Sequence, residues 1–172
     1  MPGPIRGKTI ISVIGASRPD EKIYTLAMEV GRLLAEKGFI IACGGLGGVM
    51  EAVCRGAAER DGLSLGFLPR ESHAANPYVT IPVPTGLGEA RNILVVASGS
   101  AVISIGGAFG TLSEIGFAMK LGKPLVGLHT WSFIDNEGNS YPEMAASTPR
   151  EAVDMVLRCT DVQAGGIKAG LD

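Results

Sequence analysis

The chain has 172 residues, 46% of them hydrophobic and 19% charged, with 25 glycines and a net charge of −2. That length buries roughly two-thirds of the unfolded surface, and the composition excludes a disordered or fibrous chain. The near-neutral charge argues against a nucleic-acid surface or a polybasic membrane patch, so neither nucleic acid nor membrane is expected as a partner.

The opening M-P-G-P-I-R-G-K lacks the apolar core of a signal peptide. Residues 8 to 14, K-T-I-I-S-V-I, form a β-branched run ending at Gly15, as a buried strand followed by a loop should. Pro19, Asp20 and Glu21 supply helix-start chemistry. Beyond them Leu26, Ala27, Val30, Leu33 and Leu34 recur at helical spacing, and Gly38 closes the helix. The unit repeats with a strand at 39 to 43, a glycine loop at 44 to 48, a helix from 49 to about 60 and a strand at 63 to 68. Prolines at 69, 77, 82 and 84 then mark an irregular crossing with a short extended piece at 78 to 83. A helix from 86 or 87 to about 97, a strand at 101 to 105, a glycine loop at 106 to 110, a helix to 121 and a strand at 124 to 128 follow. No charge falls between Asn92 and Ser113. That length could span a bilayer, but its interspersed glycines and serines fit a helix end, a buried strand, a loop and a helix start. Residues 129 to 148 read as an irregular connection around a final helix start at 149, and 162 to 172 as a tail.

Strands alternating with helices at this spacing predict an α/β fold, a single Rossmann-like doubly wound domain over residues 1–172 whose mainly parallel sheet carries helices on both faces. Ligands in such sheets bind beyond the carboxyl ends of the strands. Gly15, with Ser17 and Arg18 behind it, and the two glycine loops should rim that crevice. A glycine loop entering a helix exposes unpaired N–H groups that an anion can approach closely. The expected phosphate or nucleotide contacts are Gly15, Ser17, Gly44, Gly45, Gly47, Gly48, Gly106, Gly107, Gly110 and Thr111. Neither loop matches a dinucleotide or Walker fingerprint.

T-L-S-E at 111 to 114 reads as a capping box, with the Thr111 hydroxyl accepting from the Glu114 N–H and Glu114 reaching back. At a helix N-terminus Glu114 should stay ionised. An anion bound there needs a cation beside that carboxylate, and Arg91 supplies a planar donor fork. Cys43, Cys54 and Cys159 have no C-x-x-C spacing and read as buried free thiols of a reducing compartment. His73 and His129 stand alone, so no metal site is expected. Trp131 reads as a lid or packing residue.

G-G-L-G-G-V-M-E (44 to 51), G-F-L-P (66 to 69), E-A-R-N (89 to 92) and G-G-A-F-G-T-L-S-E (106 to 114) resemble, in order and spacing, the Lonely Guy family. Its members are phosphoribohydrolases of cytokinin nucleoside 5′-monophosphates with a P-G-G-x-G-T-x-x-E motif and an upstream arginine. The resemblance implies Arg91 and Glu114 as catalytic residues, with no required cofactor, hydrolysis of an N-glycosidic bond, and a homodimer or tetramer in the cytoplasm. Gly106 stands where the family has proline, Ala108 replaces a motif glycine and Asn92 replaces a lysine. In these respects the chain looks more like the molybdenum cofactor carrier branch, which binds a phosphate-bearing pterin. The resemblance therefore implies a small-molecule phosphoester as partner, with a non-catalytic carrier or sensor of molybdenum cofactor or a nucleotide as the alternative to hydrolysis.

Overall fold

The computed structural model describes residues 7–71 and 74–167, so His73 lies outside the described residues. In chain order it runs β1 (Ile10–Gly15), α1 (Glu21–Glu36), β2 (Ile40–Cys43), α2 (Val49–Ala58), β3 (Ser64–Leu68), β4 (Ile81–Pro84) and a 3-10 turn at Gly88–Arg91. Then come α3 (Asn92–Ser98), β5 (Ala101–Ile105), α4 (Phe109–Lys120), β6 (Leu125–Leu128), β7 (Phe133–Ile134), β8 (Ser140–Tyr141), β9 (Met144–Ala146) and α5 (Pro149–Ile167). Seven strands form one parallel sheet in the order β4-β3-β2-β1-β5-β6-β9. β7 and β8 make a separate antiparallel pair.

Every residue of β2, β5 and β6 is buried, which parallel strands covered on both faces require. The larger core joins α1, α2 and α5 to one side of the sheet through Val30, Leu34, Ile41, Val53, Ile103 and Val156. A smaller cluster, Ile14, Val95, Val96, Val102 and Ile115, seats α3 and α4 on the other. The Rossmann-like, doubly wound reading thus holds. Asp20 caps α1, its carboxylate accepting from the Ile23 N–H at 2.8 Å, which fixes where the first helix leaves the β1 loop. α1 and α2 meet backbone to backbone. A methyl group on Gly31 would run into the Val53 carbonyl, and one on Gly56 into the Met28 carbonyl.

Three features differ from the sequence expectation. β9, inside the supposed irregular connection, pairs with β6 and completes the sheet; three residues give too short an apolar run to stand out without a partner. α5 continues to Ile167, so most of the expected tail is helix, and residues 168 to 172 lie outside the described part. α4 begins at Phe109 rather than at the T-L-S-E run. The Thr111 hydroxyl accepts instead from the Ala108 N–H, at 3.4 Å. Thr111 thereby takes the role expected of Glu114, and Glu114 is moved deeper into the helix.

Candidate functional site

The sheet changes winding direction between β1 and β5: the chain runs outward from β1 through β2 and β3 to β4, then returns to β5 beside β1. Strand ends diverge at such a point and leave a crevice. A cleft of about 210 Å³ occupies it, and its walls include Gly15, Ser17, Gly44, Arg91, Thr111 and Glu114. Sequence positions from 15 to 114 are thus brought together by the strand order alone.

Gly110 and Ala108 also face the cleft. In the first turn of α4 the Leu112 N–H is the one that reaches the Ala108 carbonyl, at 3.0 Å. The N–H groups of Phe109, Gly110 and Thr111 therefore have no acceptor within the helix. At the positive end of a helix dipole they form a ready anion cradle.

The other expected glycines are placed differently. Gly106 donates its N–H to the Leu128 carbonyl at 3.2 Å, and its own carbonyl is taken by the Thr130 hydroxyl. Gly107 lies against the Trp131 ring, where a side chain would collide with it. The Trp131 indole N–H donates to the Ala108 carbonyl at 3.2 Å and the ring packs 5.9 Å from Phe109. Trp131 is thus a packing residue that covers the outer side of this turn, and neither Gly106 nor Gly107 lines the cleft. In the 44–48 loop, Gly44 and Leu46 reach the cleft, whereas Gly45, Gly47 and Gly48 do not. The Gly45 N–H points to the Cys43 sulfur at 3.4 Å. Gly48 packs on the Ala16 and Ser17 carbonyls with φ of 69°, which glycine alone adopts readily. The Val49 N–H is spent on the Ala16 carbonyl at 2.9 Å. The start of α2 therefore offers an anion less than the start of α4.

Arg91, at the end of the 3-10 turn, is only 6% exposed. Its guanidinium lies on the Cα of Gly44 beside the Met50 sulfur, so a side chain at position 44 would displace it. Its buried Nε–H has no hydrogen-bond partner. The ion pairs among the described residues join Arg32, Arg55 and Arg60 to glutamates and do not include Arg91. Burying a guanidinium without satisfying its donors is costly unless a ligand supplies the acceptor.

Glu114 is 7% exposed. Burial pushes its carboxyl up to about 7; the Arg91 charge opposes the rise and the Glu89 charge adds to it. The expectation of a permanently ionised Glu114 is therefore corrected. It rested on a place at the helix terminus, and the true place, inside the cleft wall, lets desolvation outweigh the dipole.

Sequence reasoning missed Glu89 and Asn92, both facing the cleft. The signal was present, since both flank Arg91 in E-A-R-N. It also missed Asn76. Its side-chain amide donates to the Gly45 and Leu46 carbonyls at 3.2 and 2.9 Å and braces the loop. Among the described residues no three His, Cys, Asp or Glu side chains are grouped to hold a metal ion, and no helix is long and apolar enough to cross a membrane.

A profile of the SLOG cluster4 family matches residues 8–163. The chain belongs to that family. It is 45% identical over 147 residues to an uncharacterized protein of Archaeoglobus fulgidus, covering 86% of this chain and 93% of that one. Among solved structures it is similar to the molybdenum cofactor binding protein of Rippkaea orientalis, with 32% identity, a TM-score of 0.78 and coverage of 88% and 96% of the two chains. It is also similar to the molybdenum cofactor carrier protein of Chlamydomonas reinhardtii, with 29% identity, a TM-score of 0.79 and coverage of 90% and 99%. These matches place this SLOG chain in the Lonely Guy superfamily, on its molybdenum cofactor carrier branch, as the motifs suggested.

Proposed function

We propose that the cleft binds a phosphate monoester attached to a nucleoside- or pterin-sized group and carries it unchanged. The observation that carries this reading is the buried Nε–H of Arg91, which has no partner in the protein and lies in the wall of the same cleft as the open first turn of α4. Phosphate supplies acceptors for both at once. The similarity to molybdenum cofactor binding and carrier proteins supports a cargo of that chemistry, a phosphate on a pterin. In this reading Gly110 and Thr111 present amides to the phosphate, Arg91 holds a second oxygen, and Gly15, Ser17 and Gly44 line the cleft around them.

Hydrolysis is the second reading, favoured by the position of Glu114. A carboxylate in this wall can stabilise positive charge developing on a ribose carbon and accept a proton from the attacking water while the bond from that carbon to the base breaks. A carboxyl near 7 is about half ionised at neutral pH, which suits a general base, so product formation is what separates the two readings. Calorimetry with AMP, GMP and CMP, paired with chromatography for free base and ribose 5-phosphate, separates the two. The carrier reading expects heat of binding and no product, with binding retained in Glu114→Gln. Release of base that disappears in Glu114→Ala would replace it with the hydrolase reading. Absence of binding by any phosphate ester would remove both.

The remaining family expectations belong to the same proposal: a cytoplasmic homodimer or tetramer without nucleic-acid or membrane partners. The exposed apolar side chains Ile93, Phe109 and Leu121 on and beside α3 and α4 support self-association.

A further inference from the structure

The binding reading leaves one charge unexplained. Glu89 faces the same cleft that offers amides and a guanidinium to an anion, and it forms no ion pair among the described residues. It stands two residues before Arg91 on the 3-10 turn and is exposed, so it marks the mouth of the cleft rather than its floor. No ion pair joins it to Arg91, whose guanidinium packs over Gly44. A second carboxylate beside an anion site weakens binding by repulsion unless the ligand brings donors to meet it.

Size indicates which part of the ligand arrives there. About 210 Å³ falls below the roughly 300–1,000 Å³ of clefts that enclose a drug-sized molecule. With phosphate on the first turn of α4 and the next group beside Glu114, the far end of the ligand reaches the mouth, and that end is the heterocycle. A carboxylate there reads hydrogen-bond donors, and it reads best two adjacent donors matching its two oxygens.

We propose that Glu89 is a specificity-determining residue, selecting a heterocycle whose edge carries a ring N–H next to an exocyclic amino group, the 2-amino-4-oxopyrimidine edge that guanine and pterins share. The assignment rests on the binding reading above and narrows it. Adenine and cytosine do not present that pair, and hypoxanthine keeps the ring N–H but lacks the amino group.

The test compares GMP, IMP and ribose 5-phosphate by calorimetry on the wild type and on Glu89→Gln. GMP and IMP differ by the amino group alone, so their affinity ratio is insensitive to the general effect of removing a charge. The wild type should prefer GMP by about tenfold, as a charge-assisted hydrogen bond warrants, and the ratio should fall toward one in Glu89→Gln. Equal wild-type affinities for GMP and IMP, or a preference that survives in the variant, would overturn the role of Glu89 while leaving the phosphate site standing. An equal loss for all three ligands in the variant would place the carboxylate on the sugar and also overturn it. If none of the three binds the wild type, the binding reading itself falls and the assignment with it. Glu89 is exposed, so the variant should keep the wild-type melting temperature, which confirms that the comparison is made on folded protein.

Discussion

Glu114 carries its charge at a cost to the folded state. Its carboxyl is raised from an ordinary 4.5 to about 7, with burial as the leading cause, so between those pH values the folded chain holds a proton that the unfolded chain has released. Stability must then fall as pH rises through that window, by about 3 kcal/mol when the group is fully ionised. Glu114→Gln should abolish the decline. Melting curves at pH 5 and pH 8 should show the variant gaining on the wild type at the higher pH, and parallel pH profiles would contradict the burial argument. Bound phosphate should hold the proton on Glu114 more firmly still, so saturating ligand should lessen proton release near pH 7. The cysteines allow a second residue-scale test. Cys43 and Cys54 are fully buried with sulfurs 3.5 Å apart, whereas Cys159 is partly exposed, contrary to the reading of all three as buried. The neighbouring Cys54 thiol, and after it burial, push Cys43 well above its usual range. In the native protein a thiol reagent should therefore modify Cys159 first and reach the other two on unfolding. Prompt native reaction of all three would show that the β2–α2 junction opens readily.

At the scale of elements, the strongest constraint is the close approach of α1 and α2. Gly31 and Gly56 let each helix backbone touch the other, and a Cβ at either would fall on a carbonyl of the partner helix. Alanine normally favours a helix by up to about 1 kcal/mol over glycine. Here overpacking should win, because rigid backbone rather than a flexible side chain must move. Gly31→Ala and Gly56→Ala should each cost about 1–3 kcal/mol in chemical denaturation, and neutral or stabilising effects would refute the contact. The same helix pair shows what was legible beforehand. The periodicity of Leu26, Val30 and Leu33 located α1, and the apolar runs at 8–14, 39–43 and 101–105 located the central strands, because buried parallel strands and amphipathic helices write their period into composition. β9 was not legible, since its strand identity comes from pairing with β6 across many residues. At the site, Arg91 and Glu114 were found through motif spacing. The inaccessibility of Gly106 and Gly107 was not, for it is imposed by Thr130 and Trp131 from a segment with no periodic signal. The protonation of Glu114 was misjudged for a related reason: a three-residue shift of the helix cap, from Thr111 to Ala108, turned an end position into a wall position.

For the whole molecule, the two faces of the sheet are unequally covered. α1, α2 and α5 bury one face deeply, while the other carries the seven-residue α3 and the glycine-containing α4 over a smaller cluster. That thinner side leaves Ile93 and Leu121 in solvent, each more than a third exposed, and Phe109 is 81% exposed at the α4 start. Exposed apolar side chains around a helix with small residues suit close packing against a second copy, which a stable interface would need to extend over about 1,200 Å² or more in total. Gly116 offers a clean probe, because nothing lies within 4 Å of a side chain placed there. Gly116→Arg should therefore fold as a monomer without strain, yet set a long charged side chain in the middle of the proposed contact. Sedimentation equilibrium should find the wild type as a dimer or tetramer and Gly116→Arg as a monomer with the wild-type circular dichroism spectrum. A wild type that sediments as a monomer, or a variant that assembles as the wild type does, would mean that this face is not where copies of the chain meet.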